Sequence, residues 1–503
     1  MFLPLITFGV CLCAEAACKH LVELARAEVQ ANDEPSRAMR EFAKIRLEDA
    51  ERGCHKVLND HGLILKVKVD YVQLGEDTRL KQFPMIKFSS WVQHLLDNGR
   101  LARQLVGVSS MKKMKGVLVE YWRRLQAIDP RHFVFDLAAQ GHLQLGNTIP
   151  FFTHSDEGRS LKHQPVFVLS CHGCLGRGTR AYLQSGKHRA PLQRNGMGLN
   201  FAGQTWATQF LVATMMRSLA VGCPDAFKQL IQLFAEDVKT LWEEGVRSSD
   251  GRHQVWLIHM NTKGDLPALK TMGNLKRSFS NVARGPSSKK ACLGICHMCL
   301  AGQEATPQGA VAIPFEDVNR DADWMLTLNV SIPWDHTPPI FAGMPDSSQR
   351  ASFFATDIWH NFHLGLGKGF VACSWACIVE SSPPSLPAGS VETRFAHVTM
   401  LYKQYFSSKK IVPFVSEISR DTMNFPQSNA IPVGKWSKAS ATTEMMLFLS
   451  DFGSRFIRNN SADPLLLAIV SSWQVRSSCD EVKRLVLWVL RPSCRLRWAR
   501  LMP

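Results

Sequence analysis

Between residues 149 and 265 the hydrophobic rhythm of the chain changes in one fixed order, which limits the folds open to it. IPFFTHSDEG (149–158) is an apolar run that ends in acids, HQPVFVLSCHG (163–173) is a second strand-like run, and QTWATQFLVATMM (204–216) is a third, rich in Thr, Val and aromatics. The spacing then switches to that of a helix. Pro224 and Asp225 open a segment whose apolar stripe is Phe227, Leu230, Ile231, Phe234, Val238 and Leu241, and Gly245 stands where such a helix stops. HQVWLIHM (253–260) returns to a strand and is followed by Asp265.

A β-β-β-α-β order of this kind is the ribonuclease-H-like arrangement, in which adjacent parallel strands bring their ends together. It places Asp156 at the end of the first strand and Asp265 just past the fourth. Two carboxylates so placed can hold two divalent ions for in-line attack on a phosphodiester. Mg²⁺ or Mn²⁺ suits such a site because hard cations take oxygen ligands. A lone Asp at a strand end is ordinarily a turn residue; the topological pairing is what singles out these two.

The charge pattern agrees with a polyanionic partner. The chain has 59 Lys+Arg against 43 Asp+Glu, a formal charge of +16, and such an excess points first to nucleic acid and next to an anionic membrane surface. From Gly158 to Pro224 there is no acid, while Arg159, Lys162, Arg177, Arg180, Lys187, Arg189, Arg194 and Arg217 supply positive charge. Such residues suit DNA-backbone contacts, which fix register without reading sequence. A second basic cluster runs from Arg100 to Arg131, and Arg491, Arg495, Arg497 and Arg500 follow near the end. A charge run is otherwise a solvated face. The composition is globular, with no repeat of solenoid length and no uncharged apolar run of spanning length, so the reading has no membrane partner.

Around this core the chain divides into four expected parts. Residues 1–140 read as a basic helical or α+β module: a helix over 15–58, a half-buried strand at Leu65, Val67, Val69 and Tyr71, and helices within 85–128. Residues 145–265 form the first part of the ribonuclease-H-like core. Residues 266–435 are a large insertion broken by the Ser/Pro/Gly-rich stretches 278–290 and 381–390. Residues 436–503 are a C-terminal helical part. The fold class expected is thus α/β (α+β overall), a mixed sheet flanked by helices.

Cys-His-x-Cys occurs twice, at Cys171/Cys174 and Cys296/Cys299. The first follows an apolar strand and reads as buried thiols. The second fits half of a tetrahedral Zn²⁺ site, with His360, His363, Cys292 and His297 all open as further ligands. Cysteine density and spacing are not those of a disulfide scaffold, so a reducing compartment is expected. Residues 2–13 imitate a signal peptide but lack the basic residues that precede one. A secreted protein is the reading this run would otherwise support.

The phrases LWEEGVRSSD (241–250), HQVWLIHM, GDLPALKTMGNLKRSFSN (264–281) and GICHMCLAG (294–302) occur in the order seen in CACTA-type and related cut-and-paste DDE transposases, and the chain resembles that family over roughly residues 145–450. Asp357 and His360 match its Asp-x-x-His signature. The resemblance implies metal-dependent DNA cleavage and strand transfer, a nuclear protein of mobile-element origin, and a homo-oligomer when active. It implies that Asp156 and Asp265 are the first two catalytic acids and that Cys296, Cys299, Asp357 and His360 are metal-binding residues, with Zn²⁺ as a further ion. A third acid is expected on a helix after the insertion: Glu444, within 437–456, with Glu481 as the alternative. Family members run on well past this point, which leaves a truncated relative open. The second function reading is therefore a catalytically inactive DNA-binding or zinc-stabilised interaction protein.

Overall fold

The structure, a computed structural model, describes residues 14–62, 65–76, 80–159, 164–176, 208–281, 293–303, 313–315, 317, 319, 321–357, 359–425, 431–457 and 463–474. It divides into two compact units, residues 1–276 with 332–355, and residues 277–331 with 356–503.

The first unit is built on a mixed sheet. A short hairpin of β1 (Asp70–Val72) and β2 (Phe83–Met85) precedes it. The sheet proper holds β3 (Thr148–Arg159), β4 (Pro165–Gly173), β5 (Phe210–Met216), β6 (Val246–Arg247) and β7 (Gln254–Gly264), in the order β5-β4-β3-β7-β6, with β8 (Phe354–Thr356) also on β7. β3, β4 and β5 run antiparallel, while β3 and β7 are parallel. A parallel pair needs a crossover, and here the helix between β5 and β7 lies within it. The fold class is mixed α/β with helices around the sheet, as the sequence order implied.

Helices α1 (Ala14–Ala31), α2 (Arg37–Ala43) and α3 (Ala50–Asp60) pack around Val22, Ala25, Phe42, Cys54 and Leu58. The single helix expected over 15–58 is therefore three. Ser36 caps α2 through its side chain, with the extended backbone such a cap requires. The strand expected at 65–71 shrinks to Asp70–Val72, because only those residues find a partner in β2.

The boundary expected near residue 140 does not separate two cores. α4 (Phe88–Asp97), α5 (Met111–Ile128) and α6 (Phe133–Ala139) share one hydrophobic core with the sheet, where Phe88, Trp122 and Phe133 join Phe151, Phe167 and Phe210. The Trp122 indole N–H donates to the Thr148 carbonyl at 2.8 Å and that of Trp91 to Leu211 at 2.8 Å, so both rings are pinned to strand backbone. After α7 (Arg217–Gly222), the crossover helix α8 (Pro224–Glu243) buries the stripe read from its sequence, Phe227, Leu230, Ile231, Phe234, Val238 and Leu241. Each such side chain contributes about 1.5–3 kcal/mol. Gly245 follows with φ +71°, the left-handed turn that glycine accepts without strain.

α9 (Leu266–Met272) ends the run that leads out of β7. The expected insertion is thus shared: residues 277–331 belong to the second unit and 332–355 return to the first. The second unit carries α10 (Asp323–Leu326), α11 (Gly367–Ser381), α12 (Val391–Ser408), α13 (Ala439–Phe452) and α14 (Pro464–Gln474). Trp375 stacks on Phe448 at 5.2 Å between ring centres, with Tyr402 and Phe452 edge-on around them. The stretch His360–Ser381 is apolar and long enough to cross a membrane, and half of it is buried in the protein.

Candidate functional site

Register places the two expected acids near one end of the β3–β7 ladder. On β3 and β7 the last paired residues are Ser155 and Gly264. One residue further, Asp156 is not the strand end that the sequence suggested: it stays in β3 opposite Val168 of β4, three residues before Arg159, while Asp265 has left β7 as the N-cap of α9. Gly264 is required for the close pairing of the two strands here, because a Cβ there would come within 2.7 Å of the Ser155 carbonyl oxygen.

Side chains alternate between faces along both strands. Thr153 and Ser155 on β3, and Thr262 on β7, are fully buried beneath the sheet. Phe152, His154 and Asp156, and across from the first two Asn261 and Lys263, are half-buried on the other face. In a parallel ladder, partners in register project the same way, so Asn261 and Lys263 share the face of Asp156, and Asp265, also half-buried, follows past the end of β7.

Backbone amides orient both groups. The Glu157 N–H donates to Asp156 Oδ1 at 2.8 Å, and the Ala268 N–H donates to Asp265 Oδ1 at 2.7 Å as the cap of α9. Carboxylates offer hard oxygen donors, which suits Mg²⁺ or Mn²⁺. Asp156 and Asp265 are the residues that would hold such an ion.

Further back along the ladder, His259 links the two strands. Its Nε2 bonds to Thr153 Oγ1 at 2.7 Å and its ring stacks on Phe151 at 4.8 Å, with Phe353 edge-on at 4.9 Å. Burial drives its pKa down to about 3, so it serves as a neutral packing group.

Sequence reading missed the row behind the acids. His154 and Lys263 are directly paired across the ladder, two residues before Asp156 and Asp265 respectively. The Lys263 ammonium lies 3.7 Å from the centre of the Phe152 ring. On β4, His172 is paired with Phe152, and burial, with the charges of Lys263 and His154, brings its pKa down to about 3. Counting back in twos from each acid would have found His154 and Lys263.

Glu444 is on α13 in the second unit, where one of its oxygens accepts the Phe414 N–H at 2.9 Å and burial raises its pKa. Glu481 lies outside the described residues. Cys296 and Cys299 share a turn, and Asp357 accepts from His360 Nδ1 at 2.7 Å. Among the described residues no three His, Cys, Asp or Glu side chains gather as a metal-holding group, so these are two separate pairs. Two sulfurs do not close a tetrahedral zinc set. His297 is buried, His363 Nδ1 bonds to Thr443 Oγ1 at 3.1 Å, and Cys292 lies outside the described residues.

Of the expected DNA contacts, Arg159 ends β3 and Arg217 pairs with Glu157 at 2.9 Å. Lys162, Arg177, Arg180, Lys187, Arg189 and Arg194 lie outside the described residues. No family model, curated protein or solved structure matches this chain.

Proposed function

We propose that the chain is a transposase-like, metal-dependent enzyme of DNA phosphodiester cleavage and strand transfer, with Asp156 and Asp265 as its first two catalytic acids. The observation that carries the reading is the β3–β7 register, in which Asp156 and Asp265 each follow the last pair, Ser155 and Gly264, by one residue. The strand order β5-β4-β3-β7, with α8 in the crossover, is the order of a ribonuclease-H-like sheet. It supports the same assignment.

In this reading the carboxylates hold Mg²⁺ or Mn²⁺, and backbone N–H groups keep each carboxylate aimed. A bound ion supplies the activation of water, or of a DNA 3′-hydroxyl, and neutralises charge on the phosphate. The chain's net charge of +16 suits a DNA partner and a nuclear setting. An active form would act as a homo-oligomer. Zn²⁺ at Cys296 and Cys299 would need donors beyond that pair.

One observation favours the second reading, an inactive DNA-binding relative. The Glu444 carboxylate is engaged by the Phe414 N–H at 2.9 Å. Nicking of supercoiled DNA by the full chain with Mn²⁺ or Mg²⁺ separates the two. Asp156→Ala and Asp265→Ala are each expected to abolish it, and wild-type nicking by both variants would remove the assignment.

A further inference from the structure

The row behind the acid pair has the make-up of a phosphate contact. His154 and Lys263 face each other across β3 and β7 on the face that carries Asp156, each two residues before one of the acids. On β3 the spacing from His154 to Asp156 is about 6.6 Å along the strand. That is comparable with the span of one nucleotide of extended backbone. Lys263 is half-buried and its ammonium is fixed over the Phe152 ring at 3.7 Å. An ammonium seated on an aromatic face is held in place electrostatically. It loses less side-chain freedom on contacting an anion than a solvated surface lysine does. Phe152 is in turn backed by His172, with ring centres 5.6 Å apart and the imidazole 4% exposed.

We propose that Lys263, with His154 beside it, contacts the DNA phosphate one nucleotide away from the phosphate that Asp156 and Asp265 would act on. This rests on the proposed reading of the acid pair. Lys263 is then a phosphate-contacting residue, a fixed point charge of the kind lysine supplies at phosphates. Its place on the same two strands as the acids sets the distance between the two contacts. The chemistry is sequence-independent, so it positions DNA and selects no target.

The test reads binding, so that its failure is separate from a failure of cutting. A short DNA duplex is titrated against the full chain with Ca²⁺ in place of Mg²⁺ over a series of salt concentrations. Lys263→Gln is expected to weaken binding on the order of tenfold near 0.1 M salt and to lower the slope of log K against log salt by about one. Lys263→Arg should keep the slope. Lys263→Met, which retains an apolar stem over Phe152, should lose as much as the Gln variant. Lys239→Gln, at an exposed position of α8, should change nothing. Wild-type affinity and slope in both the Gln and Met variants would overturn the proposal. Asp156→Asn, scored by nicking, tests the cutting reading by itself: loss of nicking there beside unchanged binding by Lys263→Gln keeps the enzyme and discards the lysine contact.

Discussion

The chain writes Cys-His-x-Cys twice, and the two copies become different chemical objects. Cys171–Cys174 runs off the end of β4, where both thiols are buried and desolvation pushes their pKa values well up. Cys296–Cys299 is a turn in the second unit. There the Cys299 thiol and nearby backbone N–H groups hydrogen-bond the Cys296 sulfur and draw its pKa down, while the Cys299 proton is held more tightly. Arg277 braces this turn by donating to the Cys296 and His297 carbonyls at 3.3 and 3.4 Å. A motif's chemistry is set by whether its backbone is a strand in a core or a turn with amides to spare.

The largest expected difference between the copies is in reactivity. Iodoacetamide labelling of the native protein near neutral pH, mapped by mass spectrometry, should modify Cys296 at least about a hundredfold faster than Cys171 or Cys174, since the thiolate is the nucleophile. Equal rates would break the comparison.

The third position separates them next. Gly173 lies against the backbone of Leu105, where a Cβ would meet the carbonyl oxygen at 1.9 Å, whereas the second copy has Met298 at that position. Gly173→Ala should cost about 1–3 kcal/mol or more in urea unfolding, by overpacking. Met298→Gly should cost less. The reverse order would show that Gly173 tolerates a side chain.

The smallest effect is in pH dependence. His172 ordinarily titrates near 6.5 and is held down to about 3, by burial first and then by Lys263 and His154. The unfolded chain therefore binds a proton that the folded chain refuses. This stability is fully present above the unfolded pKa of 6.5 and is lost as pH falls towards 3. His172→Gln should flatten the fall in unfolding free energy between pH 6 and pH 4 by up to about 1.4 kcal/mol per pH unit. An unchanged slope would mean that His172 is protonated in the folded protein.

Strand order and the crossover helix were legible because their signals are local. The period-2 runs at 149–158 and 163–173 became Thr148–Arg159 and Pro165–Gly173, and the 3.6-period stripe of α8 has the residues read from the sequence. The parallel β3–β7 ladder brings the positions just before Asp156 and Asp265, Ser155 and Gly264, into register. Glu444 and the four expected metal-binding residues could not be placed the same way. Each pair in the second unit is local, i and i+3, and joining pairs depends on tertiary packing that no periodicity encodes. The break between α1 and α2 had a local signal, Asn32, Asp33, Pro35 and the cap Ser36, that the reading of one helix over 15–58 passed over.

The acid pair is the centre of this account, and metal-dependent nicking tests it most directly. Supercoiled plasmid incubated with the full chain and Mn²⁺ should be nicked. Asp156→Asn and Asp265→Asn, which keep the size and most of the hydrogen bonding of each side chain, should both fall to the level seen without metal. Nicking at the wild-type rate by both Asn variants would contradict the account.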